Sequence, residues 1–195
     1  MKRKDFLSSF GVAALAAGSI SSTIAAAEKK IITPPYLNAG DTIGITSPAG
    51  YIKTEEIQSA INKIKEWGYN VKIGDTIGKR AFTFGGTDEE RKNDFQQMMD
   101  DDAVKAILCA RGGYGFVRLV DQLNFKKFKK QPKWIIGFSD ITVLHSHLNS
   151  CIGVASIHSK MCNSFPDDWG KAELVQIETI ESIRKAISGA RMIYT

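Results

Sequence analysis

Ser139 stands where a short apolar run, Trp134-Ile135-Ile136-Gly137-Phe138, gives way to Asp140-Ile141-Thr142-Val143-Leu144-His145. The run reads as a buried strand and the segment after it as a helix, so the serine sits on the turn between them. A tight strand-to-helix turn lifts a hydroxyl clear of a sheet and sets it at the positive end of a helix, the arrangement a serine nucleophile needs for acyl transfer. The same Ser-Asp pair also suits a plain helix N-cap, and spacing alone leaves both readings open. A nucleophile elbow of the α/β-hydrolase kind carries a second glycine two residues on. Here that position is Ile141, which argues against ordinary membership of that group.

Arg111-Gly112-Gly113-Tyr114-Gly115 is the second constellation. Glycines between a strand and a helix let backbone N–H groups approach an anion, either a phosphate or the oxyanion of a tetrahedral intermediate. A dinucleotide fingerprint needs G-x-G-x-x-G after the first strand, and neither this loop nor Ser47-Pro48-Ala49-Gly50 supplies it. The planar fork of Arg111 suits a substrate carboxylate, or it braces its own loop. His145 lies six residues beyond Ser139 in the expected helix, about 9 Å along the axis at about 1.5 Å per residue, too far to serve as its base. His147 faces elsewhere. His158 ends a neighbouring strand, where it could approach as a base, touch substrate or be structural. Cys109, Cys151, Cys162 and the histidines have no metal-ligand spacing, and no cofactor is expected.

These residues need elements to hold them. Residues 28–40 read as a lead-in, with Pro34-Pro35 opposing helix and a turn before Asp41. Strands are expected at Thr42–Thr46, Tyr69–Ile73, Val104–Cys109, Ile135–Ile136 and Val154–Ile157. Helices are expected at 55–67, from the Thr87-Asp88-Glu89-Glu90 capping box onward with Phe95, Met98 and Met99 inward, at 116–123, at 140–149 and at 173–188. The last would bury Leu174, Ile177, Ile180, Ile183 and Ile187 and stop at Gly189. Alternating strands and helices imply an α/β fold, a mostly parallel sheet with helices on both faces in flavodoxin- or Rossmann-like layers. Sites in such sheets form outside the carboxyl ends of the strands. Ser47, Arg111, Tyr114, Ser139 and His158 all fall there and are the candidate site residues.

Residues 1–27 have the layout of an export signal: basic Lys2-Arg3-Lys4, an apolar stretch, and Ala25-Ala26-Ala27 before charged residues. Arg3-Lys4-Asp5-Phe6-Leu7 resembles a twin-arginine signal with lysine at the second position. Cleavage after Ala27 would place the protein in the periplasm with no stable membrane insertion. It would remove +2 of the formal +5 charge and leave +3, which excludes no class but gives little reason to expect a polyanionic partner. Lys126, Lys127, Lys129, Lys130 and Lys133 are expected as a solvated face rather than a nucleic-acid site. Cys109 is expected as a buried small hydrophobe, while Cys151 and Cys162 could pair in an oxidising compartment.

Gly40-Asp41-Thr42-Ile43-Gly44-Ile45-Thr46-Ser47-Pro48, the Arg111–Gly115 loop and Ile136–His145 occur in an order that resembles the LD-carboxypeptidase family of serine peptidases. His158-Ser159-Lys160-Met161 resembles its H-G-P-M stretch, with Ser159 and Lys160 replacing glycine and proline. The resemblance implies that Ser139 is the nucleophile of a Ser-His-Glu triad. It also implies an oxyanion hole formed by the N–H of Asp140 and of Gly112 or Gly113, with D-alanine released from murein tetrapeptides. It places the triad's glutamate and histidine in a C-terminal domain beyond a domain at 41–189, with 190–195 as the start of the linker. Little or no peptidase activity is then expected from this chain alone. Murein peptide is the expected partner, and a homodimer is an open possibility. A non-catalytic muropeptide-binding module, a phosphate or nucleotide binder, and a peptidyl-nucleotide amide hydrolase of the microcin-immunity type are the alternatives.

Overall fold

The computed structural model describes residues 30–192. The expected export signal, and residues 193–195 of the expected linker, lie outside them. The elements run β1 (Thr42–Thr46), α1 (Gln58–Glu66), β2 (Asn70–Ile73), α2 (Asp88–Asp100), β3 (Val104–Cys109), α3 (Lys126–Lys130), β4 (Trp134–Gly137), α4 (Thr142–His147), β5 (Ile157–His158) and α5 (Leu174–Ser188). All five strands pair in parallel in the order β2-β1-β3-β4-β5.

The central strands β1, β3 and β4 are apolar on both faces because each face is covered, whereas the edge strand β2 is largely exposed. Ile43 and Ile45 of β1, Ala106 and Leu108 of β3, and Ile136 of β4 pack with Ala60 and Ile64 of α1 and Ile180, Ile183 and Ile187 of α5. Ile107 and Cys109 of β3 and Ile135 of β4 turn the other way, onto Phe95, Met98 and Met99 of α2 and Leu144 of α4. This alternation with a period of two is the signature of strands buried between two helical layers.

Local chemistry sets the helix ends. Thr87 caps α2 through its hydroxyl to the Glu90 N–H, and the Glu90 carboxylate returns to the Thr87 N–H, completing the expected capping box. At the other end of α2 the Lys133 ammonium donates to the carbonyls of Met98 and Asp101. Lys133 is therefore buried rather than part of a solvated lysine face, and burial lowers its pKa to about 8.

Several sequence expectations are corrected. The final helix buries Ile180, Ile183 and Ile187, whereas Leu174 is 76 % exposed at its first turn. The fifth strand is only Ile157–His158; Val154 instead bridges to Ile32 of the lead-in, whose N–H donates to the Gly153 carbonyl. Residues 116–123 form two short 3-10 turns rather than one helix. Cys162 is buried while Cys151 is exposed and all three cysteines are free, so the two do not pair. Cys109 is buried among apolar neighbours, and that burial raises its thiol pKa.

Candidate active site

The sheet order reverses direction between β1 and β3, and the loops leaving those two strands open a crevice at their carboxyl ends. Ser47–Gly50 follows β1 and Arg111–Gly115 follows β3. The two loops are stitched together: the Gly50 N–H donates to the Gly112 carbonyl at 2.8 Å. A side chain at Gly50 would bring its Cβ within 2.5 Å of that oxygen, so the contact requires glycine. Ser47 is buried, with its hydroxyl donating to the Gly50 carbonyl at 2.6 Å and its N–H to Thr76 Oγ1 at 2.8 Å. The expected substrate contact is thus placed as a brace beneath the loop.

Ser139 follows β4 and is exposed. Its φ is +59°, one of only two positive values at non-glycine residues among those described. A 3-10 turn over Ser139–Ile141 leads into α4, so the helix begins on the serine itself. Gly112 presses against this elbow. A Cβ there would lie 3.0 Å from Ser139 Cβ and 3.2 Å from Met161 Cε. The Asp140 carboxylate accepts the Phe116 N–H at 2.8 Å, fastening the far end of the glycine loop to the same turn. Among the described residues the N–H groups of Gly112, Gly113 and Asp140 meet no protein acceptor. Backbone donors so disposed around a hydroxyl suit an anion that develops during acyl transfer.

Residues beneath this surface hold it in place. Arg91 is fully buried; it donates to the Pro48 carbonyl at 2.7 Å and the Gly115 carbonyl at 3.2 Å, and pairs with Asp88. Burial lowers its pKa, an effect opposed by the charges of Asp88 and Asp140. Asp94 accepts from Thr46 Oγ1 and Thr76 Oγ1, both at 2.5 Å, and from the Asp75 N–H at 2.9 Å, joining the ends of β1 and β2 to α2. Sequence reasoning missed both residues. Their signal was available: Arg91 and Asp94 share the stripe of α2 that carries Phe95 and Met98, and a charge in an apolar stripe has a buried partner.

His145 donates from Nε2 to the Gly137 carbonyl at 2.9 Å, and its Nδ1 then accepts from Ser156 Oγ at 2.8 Å. It secures the strand end before Ser139 and does not reach the hydroxyl, in keeping with its distance along the helix. Burial lowers its pKa, with the Gly137 bond opposing. His147 packs on Phe125 at 4.9 Å. His158 is exposed, with Nε2 3.2 Å from Thr142 Oγ1 and its ring 6.4 Å from Phe138. No imidazole hydrogen-bonds Ser139 among the described residues. Arg111 and Tyr114 are exposed on the open side of the glycine loop.

Residues 43–159 match the LD-carboxypeptidase N-terminal domain. "Probable murein peptide carboxypeptidase" of Bacillus subtilis is 36 % identical over 131 residues, 67 % of this chain and 41 % of that protein. Murein tetrapeptide carboxypeptidase of Pseudomonas aeruginosa is 25 % identical over 151 residues, 75 % of this chain and 49 % of that protein. Muramoyltetrapeptide carboxypeptidase from Oxalobacter formigenes superposes with a TM-score of 0.61 at 30 % identity, over 73 % of this chain and 47 % of that one. An MccF-like protein from Bacillus anthracis gives 0.71 at 25 % identity, over 80 % and 47 %. The chain thus spans about half the length of the curated relatives it matches. With the domain match covering more than half of the chain, including both the glycine loop and the Ser139 turn, this protein belongs to the LD-carboxypeptidase family.

Proposed function

We propose that this chain carries the nucleophile and oxyanion hole of a serine LD-carboxypeptidase that releases terminal D-alanine from murein tetrapeptides. The observation that supports it most is the left-handed Ser139 at the end of β4, seated against a glycine that only a missing side chain allows. Ser139 Oγ attacks the carbonyl before the terminal residue and passes its proton to a base. The developing oxyanion is met by the N–H of Asp140 and of Gly112 or Gly113, donors of the kind worth roughly 3 kcal/mol each. Collapse expels D-alanine, which takes the proton from the base, and water then hydrolyses the acyl-enzyme. Arg111 holds the substrate's terminal carboxylate through its planar fork. In this reading the base and its orienting carboxylate come from outside residues 30–192, as the family resemblance implies. Export to the periplasm, where murein peptides occur, belongs to the same reading.

Calorimetry and a D-alanine assay with this chain test the reading. Saturable tetrapeptide binding with no more than trace release is expected, and Arg111→Ala should weaken the free acid far more than a C-terminally amidated peptide. Absence of binding refutes the reading. Vigorous Ser139-dependent turnover by the chain alone would instead make His158 the base. In the catalytically complete protein, Arg111→Ala should raise KM for the acid and leave kcat nearly unchanged. The absent Ser139–imidazole contact favours a second reading, a muropeptide-binding module, which binding without turnover in the complete protein would identify.

A further inference from the structure

On the open side of the glycine loop a cleft of about 370 Å³ is bounded by Tyr51, Arg80, Phe82, Arg111, Gly113 and Tyr114. Gly113 is the neighbour of the glycine that touches Ser139, so the cleft adjoins the nucleophile. Its wall holds two guanidinium groups and no carboxylate. Neither arginine forms an ion pair among the described residues. Two exposed cations in one concavity repel each other unless a ligand brings negative charge to them.

Phe82 marks the same place independently. It is 89 % exposed, more than any other large apolar side chain among the described residues, and its φ is +56°. Ala81 and Phe84 exchange hydrogen bonds at 3.1 and 2.9 Å, closing a two-residue hairpin with Phe82 as its first central residue. Such turns favour glycine, asparagine or aspartate there. A bare aromatic ring on a left-handed backbone is unfavourable twice over, and observed strain of this kind concentrates at ligand-binding positions. Arg80 is tied to the tip: its Nε donates to the Phe82 carbonyl at 2.9 Å and its guanidinium lies 5.1 Å from the Tyr51 ring centre. The two terminal nitrogens of the fork meet no protein acceptor among the described residues.

We propose that Arg80 and Phe82 form a second substrate subsite beside Arg111, which binds a carboxylate carried by the peptide upstream of the scissile bond. This rests on the carboxypeptidase reading above. D-Alanine brings only one carboxylate to the leaving side, so the second anion belongs to the acyl side. The Phe82 ring supplies an apolar wall for the chain between the two charges.

The test uses two synthetic tetrapeptides ending in D-alanine, one with a free upstream carboxylate and one with that group as the carboxamide, titrated calorimetrically into this chain. The free acid is expected to bind five- to tenfold tighter, roughly the effect of one partly screened guanidinium–carboxylate contact. Arg80→Ala removes that preference by weakening the acid alone, whereas Lys79→Ala, its charged neighbour, leaves both affinities in place. Phe82→Gly weakens both peptides severalfold without lowering the melting temperature. Binding by the unaltered chain that ignores amidation overturns the subsite and leaves the carboxypeptidase reading standing. Equal weakening of both peptides by Arg80→Ala overturns it likewise, and binding of neither peptide overturns the subsite and the reading together.

Discussion

A serine at φ +59° holds a conformation that costs an L-residue about 1 kcal/mol or more relative to glycine. At an ordinary position glycine is the less stable residue by roughly 0.5–1 kcal/mol. At residue 139 the order should reverse, with Ser139→Gly melting higher than Ser139→Ala, and thermal unfolding of the two variants checks it. Gly112→Ala is the complementary change. Its new methyl would sit 3.0 Å from Ser139 Cβ, tighter than packing tolerates, so one loop or the other must move. A loss of about 1–2 kcal/mol on urea denaturation is expected, together with loss of tetrapeptide binding. The position of Ser139 on its turn was legible in the sequence. Its backbone strain was not, because serine as an N-cap and serine as an elbow share the same neighbours.

Helix α2 does two jobs, and its sequence announces only one. Phe95, Met98 and Met99 seal one face of the sheet, while Arg91 and Asp94 in the same stripe hold the loops after β1, β2 and β3. Arg91→Leu leaves two carbonyls without their donor and Asp88 with Arg118 alone of its two cationic partners, and should destabilise by roughly 3 kcal/mol. Arg91→Lys should recover only part of this, since an ammonium lacks the fork that spans Pro48 and Gly115. Urea titration of both variants checks the ordering. Helix α4 carries a pH dependence through His145, whose folded pKa is below its usual 6.5 because of burial. The folded state accepts this proton at lower pH than the unfolded chain does. His145's contribution is therefore intact above about pH 6.5 and is lost as pH falls from there through the folded value. His145→Gln, which keeps one donor and one acceptor, should flatten that slope in melting temperature. The buried histidine was hard to foresee because its partner, the Gly137 carbonyl, belongs to every sequence and identifies nothing.

Across the molecule, residues 30–192 contain both apolar layers of a five-stranded sheet, so the chain should unfold in one cooperative step, with fluorescence and circular dichroism transitions that coincide. Peptide binding should weaken steeply with added salt, since the cleft cations are exposed and screened. The layering was legible because strand and helix periods alternate cleanly from Thr42 to Gly189. The edges were not. The two-residue β5 and the bridge from Ile32 to Val154 depend on pairing between segments distant in sequence, where local patterns carry little weight.

The bond from the Gly50 N–H to the Gly112 carbonyl also fixes an orientation. In a planar trans peptide the carbonyl of one residue and the N–H of the next point in opposite directions. Holding the Gly112 oxygen toward Gly50 therefore turns the Gly113 N–H away from it. Glycines rotate their peptide planes easily, and half a turn here would replace a donor with an acceptor. Gly50 acts as a latch on that rotation, so the Gly113 N–H keeps its direction whether or not a ligand is present.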